Sequence, residues 1–183
     1  PVNGILPFVS QGIRNTLEKV DKRVLESAEE IRLRAGKPLV IQQYLKEWFV
    51  SKRGNLDEFC SEPYIVDQSE ISKTIEIMSE NSIYAYQDEI KNGFITLKGG
   101  HRVGIAGKVV LDGNSIKNIK NISGLNIRIS REIPGCSDHV INYILNKKGG
   151  IYNTLIISPP QCGKTTILRD LARKISDGIC EAG

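Results

Sequence analysis

Ser158-Pro159-Pro160-Gln161-Cys162-Gly163-Lys164-Thr165-Thr166 is the segment of this sequence whose residue types and spacing point most directly to chemistry. It approaches the phosphate-binding pattern Gly-x-x-x-x-Gly-Lys-[Ser/Thr], which sits between a strand and a helix. Ser158 stands where the first glycine is expected, and the second half is intact. Gly163 lets the backbone turn, with no Cβ in the way, and approach an anion closely. Successive N–H groups from Gln161 to Thr165 would form a nest for phosphate oxygens, reinforced by the positive end of the following helix. Lys164 would reach the β- and γ-phosphates, and the Thr165 hydroxyl would face Mg²⁺. The cofactors this motif implies are therefore ATP and Mg²⁺. Cys162 reads as a tolerated thiol rather than a catalyst, although a thiol at a helix N-terminus invites alkylation.

Arginines form the second group. Arg32 and Arg34 alternate with Ile31 and Leu33, so they share the polar face of a strand. Arg102 and Lys108 fall on the polar face of another, Arg128 on that of a third, and Arg131 just after it. The fixed guanidinium fork matches phosphate oxygens, so such residues could complete a nucleotide site across a domain or subunit boundary. A solvated sheet face is the plainer reading of any one of them. Nucleic acid is a rival ligand and the less favoured one, because Tyr84 and Tyr86, which could stack on bases, lie outside those strands. His101 reads as structural. Cys60, Cys136, Cys162 and Cys180 are too scattered for a zinc site, and free thiols suit a reducing cytoplasm.

The elements that must position these groups follow from periodicity. A helix is predicted over 12–20, with Ile13, Leu17 and Val20 on one side. Strands are predicted at 30–34, 39–43, 47–51, 94–98, 101–111 and 125–130, with 52–62 a loop. Asp67-x-x-Glu70 has capping-box form ahead of a helix carrying Ile71, Ile75 and Met78. A short helix is expected over 85–91. Asp112-Gly113-Asn114 signals a hairpin turn, and Ser137 should cap a helix reaching residue 147. Thr154-Leu155-Ile156-Ile157 has the run expected of a strand buried on both faces. The helix after the phosphate motif should bury Ile167, Leu168, Leu171, Ala172 and Ile175.

The expected fold class is α/β: an α+β N-terminal domain over 1–150 with a mixed or antiparallel sheet, then at 151–183 the first strand, phosphate loop and helix of a RecA-like domain. Only 33 residues follow Gly150, too few for a domain of about 100 residues. The chain alone is therefore expected to hydrolyse no ATP, and the acidic residue that would hold Mg²⁺ is not found in it. Hydrophobic residues at 40% and a net charge of +4 fit an ordinary globular protein and do not compel a nucleic-acid partner. No apolar run of about 18 residues occurs and no signal-peptide pattern is visible.

Four blocks carry a family resemblance. Glu29-Glu30-Ile31-Arg32-Leu33-Arg34-Ala35-Gly36-Lys37-Pro38 and Gly99-Gly100-His101-Arg102-Val103-Gly104-Ile105-Ala106-Gly107 resemble the stage III sporulation protein AA family. So do Ile122-Ser123-Gly124-Leu125-Asn126-Ile127-Arg128-Ile129-Ser130-Arg131 and Tyr152-Asn153-Thr154-Leu155-Ile156-Ile157-Ser158-Pro159-Pro160. That family is similar to the motor ATPases of type II and type IV secretion. The resemblance implies a homo-oligomeric ring, expected to be a hexamer, with ATP bound between domains and subunits. It also implies phosphate contacts from Arg102, Arg128 or Arg131, and membrane proteins of a channel between mother cell and forespore as partners. The place of action would be the mother-cell cytoplasm, at the membrane complex. The alternatives kept open are a nucleotide-regulated nucleic-acid-binding protein and a structural ring-assembly module.

Overall fold

The computed structural model describes residues 4–44, 46–80, 82–113, 115–130, 133–146, 150–159 and 162–178. The chain divides into two compact units, Pro1–Ser130 and Arg131–Gly183.

The first unit is built on a seven-stranded sheet in the order β4-β3-β2-β1-β7-β6-β5. Its strands are β1 (Glu30–Arg34), β2 (Val40–Gln43), β3 (Lys46–Val50), β4 (Leu56–Asp57), β5 (Phe94–Thr96), β6 (Arg102–Asp112) and β7 (Ser115–Arg128). All strand pairs are antiparallel. Alternation explains which face is buried. Ile31, Leu33, Ile41, Ile95, Val103, Leu125 and Ile127 are all fully buried. They pack with Ile13 and Leu17 of α1 (Gln11–Leu17) and Ile71, Ile75 and Met78 of α3 (Gln68–Met78) in one core. The α3 start is the predicted capping box. Asp67 Oδ1 accepts from the Ser69 N–H at 2.7 Å, and Glu70 Oε2 accepts from the Asp67 N–H at 3.0 Å.

Several boundaries differ from expectation. A helix absent from the sequence reading, α2 (Lys22–Ser27), is capped by Asp21. The 85–91 helix resolves into a 3-10 turn at Ile83–Tyr86 followed by α4 (Gln87–Lys91). β7 starts at Ser115, well before residue 125, and pairs with the whole of β6. The register breaks between Ala106 and Lys108, where a Cβ on Gly107 would come within 2.8 Å of Ile119 and of the Lys120 carbonyl. That break, with Asn121 at φ 46°, separates Lys108 from Arg102, so simple alternation does not align the two.

The second unit contains α5 (Asp138–Ile144) and α6 (Lys164–Ser176), with one bridge among the described residues, between Leu145 and Ile151. The division between units falls at Ser130/Arg131, ahead of the expected 150/151 boundary, so α5 belongs with α6. Residues 154–157 form no ladder among the described residues, and Leu155 and Ile157 are each 82% exposed. A strand buried on both faces needs neighbouring strands and covering helices, and this unit supplies neither to 154–157 among the described residues.

Candidate functional site

Gly163 precedes α6 with φ +79° and ψ 12°, the left-handed conformation that its lack of a Cβ makes inexpensive. It is the N-cap of a 13-residue helix, and among the described residues no side chain caps that end. The first N–H groups of α6 are thus left for another acceptor. Among the described residues, a Cβ at Gly163 would meet nothing within 4 Å, so the turn is open there. The Lys164 ammonium folds back over the preceding loop. It donates to the carbonyls of Ser158 and Pro159, both at 2.8 Å, and lies 3.3 Å from Ser158 Oγ. Cys162 and Thr165 are exposed and Thr166 is half-buried. Ser158, Pro159, Cys162, Gly163, Lys164, Thr165 and Thr166 therefore form one open turn. Pro160 and Gln161, expected in it, lie outside the described residues.

The helix behind this turn buries a different stripe from the one expected. Leu171 is buried and Ile167 and Ile175 are half-buried, but Leu168 is 52% exposed and Ala172 is exposed. Asp170 and Lys174 are buried instead. Asp170 Oδ2 accepts from the Ser137 N–H at 2.9 Å and from Ser137 Oγ at 2.6 Å. Its Oδ1 accepts from the Gly135 N–H at 3.2 Å and from Arg173 at 2.7 Å. The Ser137 hydroxyl and then Arg173 hold the Asp170 carboxyl well below the usual carboxylate range. Lys174 bonds Asp138. The charged residues inside an amphipathic helix were the only sequence signal for this cluster, and periodicity alone does not show what they meet.

In the first unit, the sheet face opposite the core carries the arginines. Arg102 and Arg128 stand directly opposite each other in the β6–β7 register, and Arg128 also faces Glu30 across β1–β7. Their surroundings differ from those of Arg32. The Arg32 guanidinium is filled by Glu30 at 2.6 Å, Gln42 at 2.6 Å and Glu47. Hydrogen bonding to Glu30 raises its pKa above the ordinary value, against the opposing effect of burial. Arg34 lies across Gly124 and donates to the Leu33 and Leu125 carbonyls at 2.9 and 3.3 Å. Arg102 instead stacks over Phe94, its guanidinium carbon 4.0 Å from the ring centroid, and hydrogen-bonds no protein group among the described residues. Arg128 is 73% exposed and only approaches Glu30 at 3.4 Å. Arg102 and Arg128 are therefore the least engaged of these four arginines, since Arg34 spends Nη1 on two backbone carbonyls. Arg131 lies outside the described residues. His101 is 4% exposed, and its Nδ1 accepts from the Ser130 N–H at 3.0 Å.

These features define an α/β chain with an antiparallel-sheet unit followed by a glycine–lysine–threonine turn opening a helix. The model of the family described as Sporulation stage III, protein AA matches residues 2–182, and the chain belongs to that family. The Stage III sporulation protein AA of Bacillus subtilis (strain 168) is 32% identical over 177 residues, which cover 97% of this chain and 53% of that protein. The chain thus spans about half the length of the curated relative it matches. Among solved structures, the X-ray structure of the Legionella pneumophila ATPase DotB matches with a TM-score of 0.40 and 13% identity, over 81% of this chain and 38% of that one. No helix among the described residues is long and apolar enough to cross a membrane.

Proposed function

We propose that this chain is part of an ATP-binding motor subunit, with the phosphate loop at 158–166. The observation that carries the reading is the Gly163 turn, with its left-handed φ, open Cβ side and uncapped helix, beside the Lys164 ammonium. Phosphate oxygens fit this arrangement, because they would accept from the free N–H groups and replace the loop carbonyls around Lys164. Thr165 is exposed on the first turn and would offer its hydroxyl to Mg²⁺. Bound ATP would supply the γ-phosphoryl group whose transfer to water drives the motor. Arg102 and Arg128, with donors unspent, would meet the nucleotide of a neighbouring subunit in a ring, expected to be hexameric. Arg131, just beyond them in sequence, is a further candidate for that contact. Membership of the sporulation family supports a role at the channel complex between mother cell and forespore, acting from the mother-cell cytoplasm on membrane partners. Hydrolysis is assigned to the full-length protein rather than to this chain alone.

The test compares full-length wild type with Lys164→Ala. Wild type should bind and hydrolyse Mg-ATP and form a larger assembly with nucleotide. Lys164→Ala should lose affinity about 10- to 100-fold, as expected for removing a charged donor. Equal affinity in the two proteins, or no binding by wild type, would sink the reading.

A further inference from the structure

The segment from Gly135 to Asp138 meets α6 at three points spaced four residues apart on the helix. Cys136 Sγ faces the Thr166 carbonyl at 3.6 Å, Ser137 gives two hydrogen bonds to Asp170, and Asp138 takes the Lys174 ammonium. Residues four apart lie on one helix face, so this is one continuous line of contact. Its centre is dry: Ser137 is fully buried, Asp170 is 4% exposed and Lys174 is 7% exposed. A buried carboxylate is tolerated because Gly135, Ser137 and Arg173 all donate to it. An apolar pair would join two elements at less risk, since a half-satisfied polar network is destabilising. What the polar version adds is directional geometry, and its first contact is at Thr166, the residue after Thr165 and in the first turn of α6.

We infer that Asp170 is a positioning residue for the phosphate-binding turn. Through Gly135, Cys136 and Ser137 it holds the first turn of α6 in the orientation that receives phosphate, and the 135–138 segment in turn responds to nucleotide. The inference rests on the nucleotide reading above. Coupling of this kind is reciprocal: if the brace favours the binding-competent turn, nucleotide must tighten the brace by the same factor.

The experiment uses full-length protein and Mg-ADP, with binding measured by calorimetry and amide exchange followed at residues 135–138. In wild type, Mg-ADP should slow exchange of the Gly135 and Ser137 amides about tenfold, the scale of one charge-assisted hydrogen bond. Asp170→Asn should bind Mg-ADP about tenfold more weakly and lose that response, while exchange in the 30–128 sheet stays as in wild type. Ser137→Ala, a milder change that removes one hydroxyl donor, should shift both readouts the same way and serves if Asp170→Asn does not fold. Asp112→Asn, at the exposed end of β6 in the first unit, should change neither. Wild-type affinity in both Asp170→Asn and Ser137→Ala, or amides at 135–138 indifferent to Mg-ADP, would overturn the inference. Absence of Mg-ADP binding by wild type would instead overturn the nucleotide reading and this inference with it.

Discussion

Arg32, Arg102 and Arg128 share a sheet face, and their removal should have opposite consequences. Arg32→Ala takes away a guanidinium bonded to Glu30, Gln42 and Glu47 and leaves the Glu30 side chain, 13% exposed, without its main partner. The Arg32 side chain is 32% exposed, so solvent screening reduces what its charged hydrogen bonds are worth. After that discount the loss is about 1–2 kcal/mol. For a unit of this size that is a fall in Tm of about 4–8 °C. Arg102→Ala loses an exposed cation–π contact of about 0.5–1 kcal/mol but relieves a like-charge cross-strand pair of about 0.2–1 kcal/mol. The net is about zero, within roughly 0.5 kcal/mol. Arg128→Ala should likewise be near neutral, because its contact to Glu30, at 3.4 Å, is made from a side chain 73% exposed. Turnover should show the reverse order: Arg102→Ala and Arg128→Ala should each lower ATP hydrolysis by the full-length protein at least about tenfold, and Arg32→Ala should not. The assays are thermal or urea unfolding beside steady-state hydrolysis. The reasoning fails if Arg32→Ala spares stability and abolishes turnover, or if the Arg102 and Arg128 variants hydrolyse ATP like wild type.

Two further outcomes test the first unit. Burial holds the His101 pKa below its ordinary value, and its Nδ1 accepts from Ser130 only while unprotonated. A depressed base contributes stability that is intact above the unfolded pKa of about 6.5 and declines as pH falls through that value toward the folded one. Urea midpoints at about pH 7.5 and about pH 5 should therefore differ more in wild type than in His101→Gln, and equal differences would refute this. Gly54→Ala should cost about 2–4 kcal/mol, because Gly54 has φ +85° and its new Cβ would lie 2.6 Å from the Lys19 backbone carbon. Gly36→Ala has φ +68° but meets nothing within 4 Å, so it should cost only the conformational part, about 1–2 kcal/mol. Similar unfolding midpoints for the two variants would contradict the steric argument.

Legibility in the sequence followed the strength of the local pattern. Glu30–Arg34 was readable residue for residue, because a strict apolar–polar alternation admits one period and one face. The capping box at Asp67 and Glu70 and the turn at Gly163 were readable because each requires particular chemistry at fixed spacing. The first half of β7 was missed because Lys117, Asn118, Lys120 and Asn121 interleave with Ile116, Ile119 and Ile122, and the register break hides the parity. Residues 154–157 read as a buried strand from composition, which reports that a segment could be buried but not whether partners surround it. The division of the arginines into Arg32, bonded through all three nitrogens, and Arg102 and Arg128, which are barely engaged, depends on cross-strand neighbours, and one sequence does not show who sits opposite whom.

The strand order has a consequence for how the sheet comes together. β1 to β4 pair with their sequence neighbours, and so do β5, β6 and β7. The long-range seam is β1 against β7, where Glu30 and Arg128 meet across 98 positions of chain. The entropy of closing a long loop falls on that one junction, and it grows only slowly with loop length, by about 0.6 kcal/mol per doubling. Insertions in the mostly exposed 58–62 loop that follows β4 are therefore tolerated more easily than any change in the Ile31–Ile127 or Leu33–Leu125 pairs. The face on which Arg32, Asn126 and Arg128 come side by side exists only after the seam has zipped, so the assembled arginine surface reports a completed fold.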